Sequence, residues 1–179
     1  MSKLWATGYD FPAIEKKWVT KKLLPNGDMA PGQSFIINLR RDKFKDIRVR
    51  KAIGLMFNFE WSNKTLFYDL YARINSFWEN SDMSAEGKPS KAEMNILQSV
   101  ESILPDNVID SEVAQVSLSS TKQLDRKNLR MASKLLDEAG WEVSSDGLRK
   151  NSNGETLDIE ILNDSQAFTR IIEPFIQNL

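Results

Sequence analysis

The apolar residues Val49, Ala52, Ile53, Met56 and Phe57 recur at helical spacing directly after Asp46, and this pattern limits the fold more than any other feature. An aspartate at that point can accept hydrogen bonds from the free amides of a first helical turn. The residues behind it then form one stripe that has to be buried against something. Ahead of the stripe, residues 35–39 are apolar, β-branched and short enough for a buried strand, followed by a basic loop. Beyond it, Trp61, Phe67, Tyr68, Tyr71, Phe77 and Trp78 alternate with Asn63, Asp69, Arg73, Asn75 and Ser76. Strand, helix and polar-aromatic loop make a scaffold that carries a binding surface.

Downstream the helix signals are equally local. Ser90 and Glu93 have the spacing of a capping box, which starts a helix expected over 91–102 with Met94, Leu97, Val100 and Ile103 on one side. Residues 104–124 read as a long irregular connection. Asp125 caps a further helix whose Leu129, Ala132, Leu135, Leu136 and Ala139 face one way, and Gly140 ends it. Residues 141–143, 148–150 and 157–161 read as short strands, the last alternating Leu157, Ile159 and Ile161 with Asp158 and Glu160. Asp164 opens a final helix whose face of Phe168, Ile171, Ile172, Phe175, Ile176 and Leu179 gains roughly 1.5–3 kcal/mol per large side chain buried. That face needs a sheet to cover, so the expectation is a lobe cut after the helix of a βαβ unit. Residues 1–33 carry Pro and Gly punctuation, no sustained periodicity, and a short helix or turn near 11–18.

Length and composition bound the chemistry. A chain of 179 residues with 41% hydrophobic and 27% charged residues is ordinary globular material. A net charge of −1 gives no general attraction to nucleic acid or anionic membrane. The basic run Arg40, Arg41, Lys43, Lys45, Arg48, Arg50 and Lys51 suggests nucleic acid, but Asp42 and Asp46 interrupt it, and a solvated flank whose arginines pair with neighbouring carboxylates is the favoured reading. The absence of Cys and His removes thiolate and imidazole metal sites and histidine-based triads. Residues 119–122 match an S-x-x-K pattern that chance also produces, without its usual companion motifs. Asp158 and Glu160 could pair as carboxylates, although simple strand alternation also puts them on one polar face. No metal, cofactor or catalytic residue is expected, and no stretch has the length of a membrane span.

The run NLRRDKFKDIRVRKAIGLMFNFEWSNKTLFYDLYARINSFWENSDM closely resembles the extracellular solute-binding proteins of family 5. The family's F-D-x-R-V-R-x-A signature is matched by Phe44, Asp46, Arg48, Val49, Arg50 and Ala52, after Asn38 and with Lys45 inserted. The likeness continues through PSKAEM, LRMASKLLDEAGW and EPFIQNL, nearest to the oligopeptide and microcin C branch. The resemblance implies an α/β (α+β) fold: part of one lobe of a type II periplasmic binding protein, a small mixed sheet flanked by helices. Residues 1–33 would lead in from the preceding part and 34–179 would form the truncated lobe. No signal-peptide pattern is visible, so the resemblance implies an internal piece of an exported periplasmic parent, with Met1 as an added start.

It further implies a non-enzymatic component of an ABC importer that takes an oligopeptide ligand, possible microcin C-type conjugates included, and docks on an inner-membrane permease. The parent would be a monomer, whereas the exposed apolar faces of this piece favour self-association. Extended peptides are held through their backbone and termini, with side chains in roomy pockets. Tyr68, Tyr71, Arg73, Asn75, Ser76, Phe77 and Trp78 are the candidate wall, with Arg73 for a ligand carboxylate or phosphate. The competing reading of Phe67, Phe77 and Trp78 is that they are core. The alternative function is a protein-protein interaction or regulatory module without a small ligand.

Overall fold

The computed structural model describes residues 2–105 and 108–179. In chain order its elements are helices α1 (Ser2–Thr7), α2 (Pro12–Glu15), α3 (Ile47–Met56), α4 (Phe59–Leu66), α5 (Lys91–Ser99) and α6 (Arg126–Glu138), strands β1 (Glu142–Val143) and β2 (Arg149–Lys150), and helix α7 (Gln166–Ile176). Single 3-10 turns lie at Asp42–Phe44 and Glu101–Ile103. The architecture is mixed helix and sheet, the sheet being a two-stranded antiparallel hairpin with Glu142 opposite Lys150. The chain divides into two compact units, one of Met1–Thr20, Phe35–Ala72 and Ser117–Leu179, the other of Lys21–Ser34 and Arg73–Val116.

The first unit is built on α3 and α6. Asp46 caps α3 by accepting from the Arg48 amide at 2.8 Å. Val49, Ala52, Ile53, Leu55 and Met56 are then buried in a cluster with Ala132, Leu136, Trp141 and Phe175. Phe57 falls just beyond α3 as its C-cap, and its ring packs mutually with those of Phe35 and Phe175 at centroid distances of 5.1–5.4 Å.

Asp125 caps α6 by accepting from the amides of Lys127 and Asn128. At the other end Gly140 is left-handed at φ +83°. There the amides of Gly140 and Trp141 close on the carbonyls of Asp137 and Leu136 at 3.0 and 2.9 Å, which is a Schellman ending. The hairpin that follows is fastened to α6 by Arg149. Its guanidinium donates to Asp137, to the Ser133 hydroxyl and to the Trp141 carbonyl at 2.5–2.6 Å.

Several expectations need correction. Residues 35–39 do not form a strand. Ile37 packs against the core, but Phe35, Ile36 and Leu39 are 40%, 87% and 53% exposed, so the run is not buried, and among the described residues no neighbouring segment completes a ladder with it. A ladder is also missing at 157–161, where Leu157, Ile159 and Ile161 lean on the core and Asp158 and Glu160 are exposed, with only a bridge between Lys150 and Thr156. The stretch read as a loop from Trp61 onward begins inside α4, capped by Asn58, which accepts from the Trp61 amide at 3.0 Å. The last helix is capped by Ser165, one residue after Asp164. Helix α1 lies in a region without periodicity.

In the second unit the capping box forms as expected: Ser90 accepts from the Glu93 amide at 3.3 Å and Glu93 from the Ser90 amide at 2.8 Å. The helix stops at Ser99 rather than at 102, with the 3-10 turn after it. None of the described residues of this unit is buried, so its ties are polar. Asn80 Nδ2 donates to the Asp28 carbonyl at 2.6 Å, and the Ala30 amide donates to the Glu79 carbonyl at 3.0 Å. The Val113 amide donates to the Gly87 carbonyl at 2.8 Å.

Candidate functional site

The candidate wall is divided between the units: Tyr68 and Tyr71 belong to the first, and Arg73, Asn75, Ser76, Phe77 and Trp78 to the second. Where α4 ends, Tyr68 and Asp69 are both left-handed, at φ +57° and +56°. For residues with a Cβ this conformation costs about 1–2 kcal/mol each. The reversal is held by the Asp69 amide on the Asn63 carbonyl at 2.9 Å. The Asn63 side chain also clamps Tyr71, donating to its carbonyl at 2.8 Å and accepting from its amide at 3.1 Å. The Tyr71 ring stands edge-on to Phe67, with centroids 4.8 Å apart, and Phe67 is buried. Phe67 is therefore core, and Tyr68 and Tyr71 are left 40% and 46% exposed above it.

In the second unit, Asn75 to Trp78 form a tight polar turn. The Asn75 amide donates to the Glu79 carboxylate at 3.1 Å, and Asn75 Oδ1 accepts from the Val116 amide at 3.2 Å. Ser76 Oγ accepts from the Trp78 amide at 3.1 Å. Phe77 stands at the tip, 99% exposed, beside a Trp78 that is 45% exposed. Within this chain neither ring is core. Arg73 is half-buried.

Sequence reasoning missed a polar knot in the first unit. Asn58, almost fully buried, donates to the carbonyls of Lys122 and Gln123, and its Oδ1 lies 2.7 Å from Ser119 Oγ. The Ser119 hydroxyl and amide both bond the Glu60 carboxylate. The S-x-x-K serine thus ties the 117–124 segment to the start of α4, and Lys122 joins the knot through its main-chain carbonyl. Asn178 donates to the Met56 carbonyl at 3.0 Å, satisfying an open group at the end of α3. Its own buried Oδ1 has no partner. The crevice between Asn58, Trp61, Ser62, Phe175 and Asn178 has room for no more than about one water, far short of a ligand pocket. The local signal for the knot was Asn58 itself, a capping residue directly after an apolar run.

Much of the basic run is engaged within the fold. Lys45 pairs with Asp42 at 2.6 Å, Arg48 with Asp46 at 2.6 Å, Lys43 reaches the Asp158 carbonyl, and Arg50 donates to the carbonyls of Phe44 and Lys45. These contacts hold the carboxyls of Asp42 and Asp46 below the ordinary range, the Lys45 and Arg48 hydrogen bonds being the largest causes. Among the described residues no group of three or more acidic side chains is arranged to hold a metal, and no helix is long and apolar enough to cross a membrane.

Residues 5–179 match the family described as bacterial extracellular solute-binding proteins, family 5 Middle. The chain belongs to that family. It is 40% identical to a probable peptide-binding protein YejA of Agrobacterium fabrum, over 99% of this chain and 29% of the relative. It is 34% identical to an uncharacterized protein YejA of Escherichia coli, again over 99% of this chain and 29% of the relative. A peptidoglycan-binding protein YepA of Agrobacterium fabrum is 28% identical over 98% of this chain and 28% of its own length. The family 5 chain thus spans under a third of the length of these relatives.

Proposed function

We propose that this family 5 chain is part of one lobe of a two-lobed periplasmic binding protein that captures oligopeptides between its lobes and passes them to an inner-membrane ABC permease. On this reading 1–33 leads into the lobe, 34–179 makes up the truncated lobe, and no bond is made or broken during transport. The observation that carries it is the 40% identity, over nearly the whole chain, with a relative named as a probable peptide-binding protein. Exposed aromatic rings with polar tips at Tyr68 and Tyr71 suit a peptide, since each offers apolar area and a hydroxyl together. Phe77 and Trp78 add surface, Asn75 and Ser76 set the turn that presents them, and Arg73 supplies a cation for a ligand carboxylate.

The test is calorimetry on the full-length parent with mixed peptide pools, with peptidoglycan-derived peptides and a microcin C-type conjugate as separate arms. Saturable binding to one arm, weakened when Phe77 and Trp78 are both changed to alanine, supports the reading. No heat with any arm, or capture of a protein partner through the same rings, points instead to an interaction module. If a complete clamshell binds at about micromolar, near −8 kcal/mol, half its contacts leave roughly millimolar affinity or weaker. The chain by itself is accordingly expected to show no tight peptide complex.

A further inference from the structure

The chain contains the dipeptide Asn-Gly twice, at Asn26-Gly27 and Asn153-Gly154, and the fold treats the two differently. An asparagine before glycine can lose its side-chain amide because the following main-chain nitrogen, with no Cβ beside it, can reach the asparagine Cγ. Whether it does depends on the freedom of that nitrogen and on the polarisation of the side-chain carbonyl.

We infer that Asn26 is a site of spontaneous deamidation by the Gly27 nitrogen, and that the turn around Asn153 protects the second pair from the same reaction. Asn26 and Gly27 are both exposed and, chain neighbours aside, nothing lies within 4 Å of where a Gly27 Cβ would stand; the same is true at Asn153 and Gly154, so the difference lies in the hydrogen bonds. Among the described residues the Gly27 amide makes no hydrogen bond. The Asp28 amide donates to Asn26 Oδ1 at 2.8 Å, drawing electron density from Cγ, and Asn26 Nδ2 donates to Asp28 Oδ2 at 3.1 Å. By contrast, the Gly154 amide is committed to the Asn151 carbonyl at 2.9 Å, in a turn where Gly154 is fixed at φ +79°. Asn151 Oδ1 braces that turn by accepting from the amides of Asn153 and Glu155, each at 3.0 Å.

The reaction balances without an oxidant or reductant. The Gly27 nitrogen bonds to Asn26 Cγ, the bond from Cγ to Nδ2 breaks, and ammonia leaves with the proton that Gly27 gave up. Water then opens the cyclic imide at either carbonyl, giving aspartate or isoaspartate at position 26. The change is felt locally, because the carbonyls of Asn26 and Asp28 accept from Asn80 Nδ2 at 3.4 and 2.6 Å. A carboxylate in place of the amide faces the Asp28 carboxylate with like charge, and isoaspartate lengthens the main chain, so both products loosen the hold on the 78–81 turn. This inference stands whether or not the chain serves a peptide-binding protein.

The experiment incubates the intact chain in mildly alkaline buffer, with and without denaturant, and follows the tryptic peptides carrying Asn26 and Asn153 by mass spectrometry for exchange of NH2 by OH. In the folded chain Asn26 is expected to convert several-fold faster than Asn153, and in denaturant the two rates are expected to converge. A Gly27→Ala variant is expected to suppress conversion at Asn26 and leave Asn153 unchanged. Equal rates in the folded chain, an intact Asn26, or the same ratio in both conditions would overturn the assignment. Hydrogen exchange on Asn26→Asp tests the local effect: faster exchange over 78–81 supports it, and unchanged exchange refutes that part.

Discussion

Arg48 donates through Nη1 to the main-chain carbonyl of Glu138 at 2.5 Å, across a separation of 90 residues. The same guanidinium holds the Asp46 carboxylate through Nε and Nη2. One side chain therefore braces the cap of α3 and occupies a carbonyl left open at the end of α6. Asp46→Ala removes the cap and the anchor of that fork, and is expected to cost about 1 kcal/mol. Arg48→Lys keeps the charge but not the fork and is expected to lower the melting temperature. Chemical denaturation of both variants and the pair checks this; fully additive effects would show that the residues do not act together.

Acid should weaken the fold in a defined way. Hydrogen bonds hold Asp125 below its ordinary range, the Asn128 amide being the largest cause, and Lys150 does the same for Asp146. Carboxyls lowered in the fold contribute stability that is complete above their unfolded value of about 4 and is lost as pH falls toward the lower folded one. With no histidine in the chain, melting temperature is expected to stay nearly level from neutrality to mild acid and then fall. Asn is also a good cap, so Asp125→Asn should keep most of the neutral stability while making the acid decline shallower. An unchanged decline would argue against Asp125 as a contributor.

Leu136 is 4% exposed in the core, whereas Leu162 is 95% exposed. Leu136→Ala is expected to cost about 2–5 kcal/mol, and Leu162→Ala to stay within about 0.5 kcal/mol. Urea titration separates them, and comparable losses would mean that α3 and α6 do not form the core described.

Helix α5 has no buried residue, so its capping box carries an unusual share of its stability. Ser90→Ala should accelerate amide exchange over Lys91–Ser99 and leave α3 and α6 protected. Uniform loss of protection would instead indicate one cooperative structure.

The strained reversal after α4 offers a stability test with a functional counterpart. Tyr68→Gly relieves a left-handed residue and is expected to hold or raise stability by up to about 1 kcal/mol, relief being offset by glycine's backbone entropy. In a peptide-binding parent the same change should reduce affinity. A clear loss of stability would show that the Tyr68 ring packs more than its exposure suggests.

What the sequence made legible is what local chemistry decides. Asp46, Ser90 with Glu93, Asp125 and Gly140 each act within a few residues, and each stands where it was expected. Strand pairing depends on a neighbour, so residues 157–161 show the burial alternation of a strand without its ladder, and residues 35–39 stay largely exposed. Helix α4 was hidden because its aromatic residues resemble a binding loop and only Asn58 marks its start. In the candidate wall, the sequence left Phe67, Phe77 and Trp78 open between wall and core; Phe67 is buried and the other two are exposed within this chain. The clamp of Asn63 on Tyr71 follows no period and was invisible beforehand.

The three bonds from Arg149 reach back only 8, 12 and 16 residues, to Trp141, Asp137 and Ser133. Such short loops close at small entropic cost, so α6 and its hairpin should assemble as an early folding nucleus, while α3 must wait for a much longer closure. Substitutions at Ser133 or Arg149 would then slow refolding, and those at Val49 would mainly hasten unfolding. On a ribosome, where α3 emerges first, its apolar stripe would remain uncovered until α6 follows, and that interval is when a chaperone would be most needed.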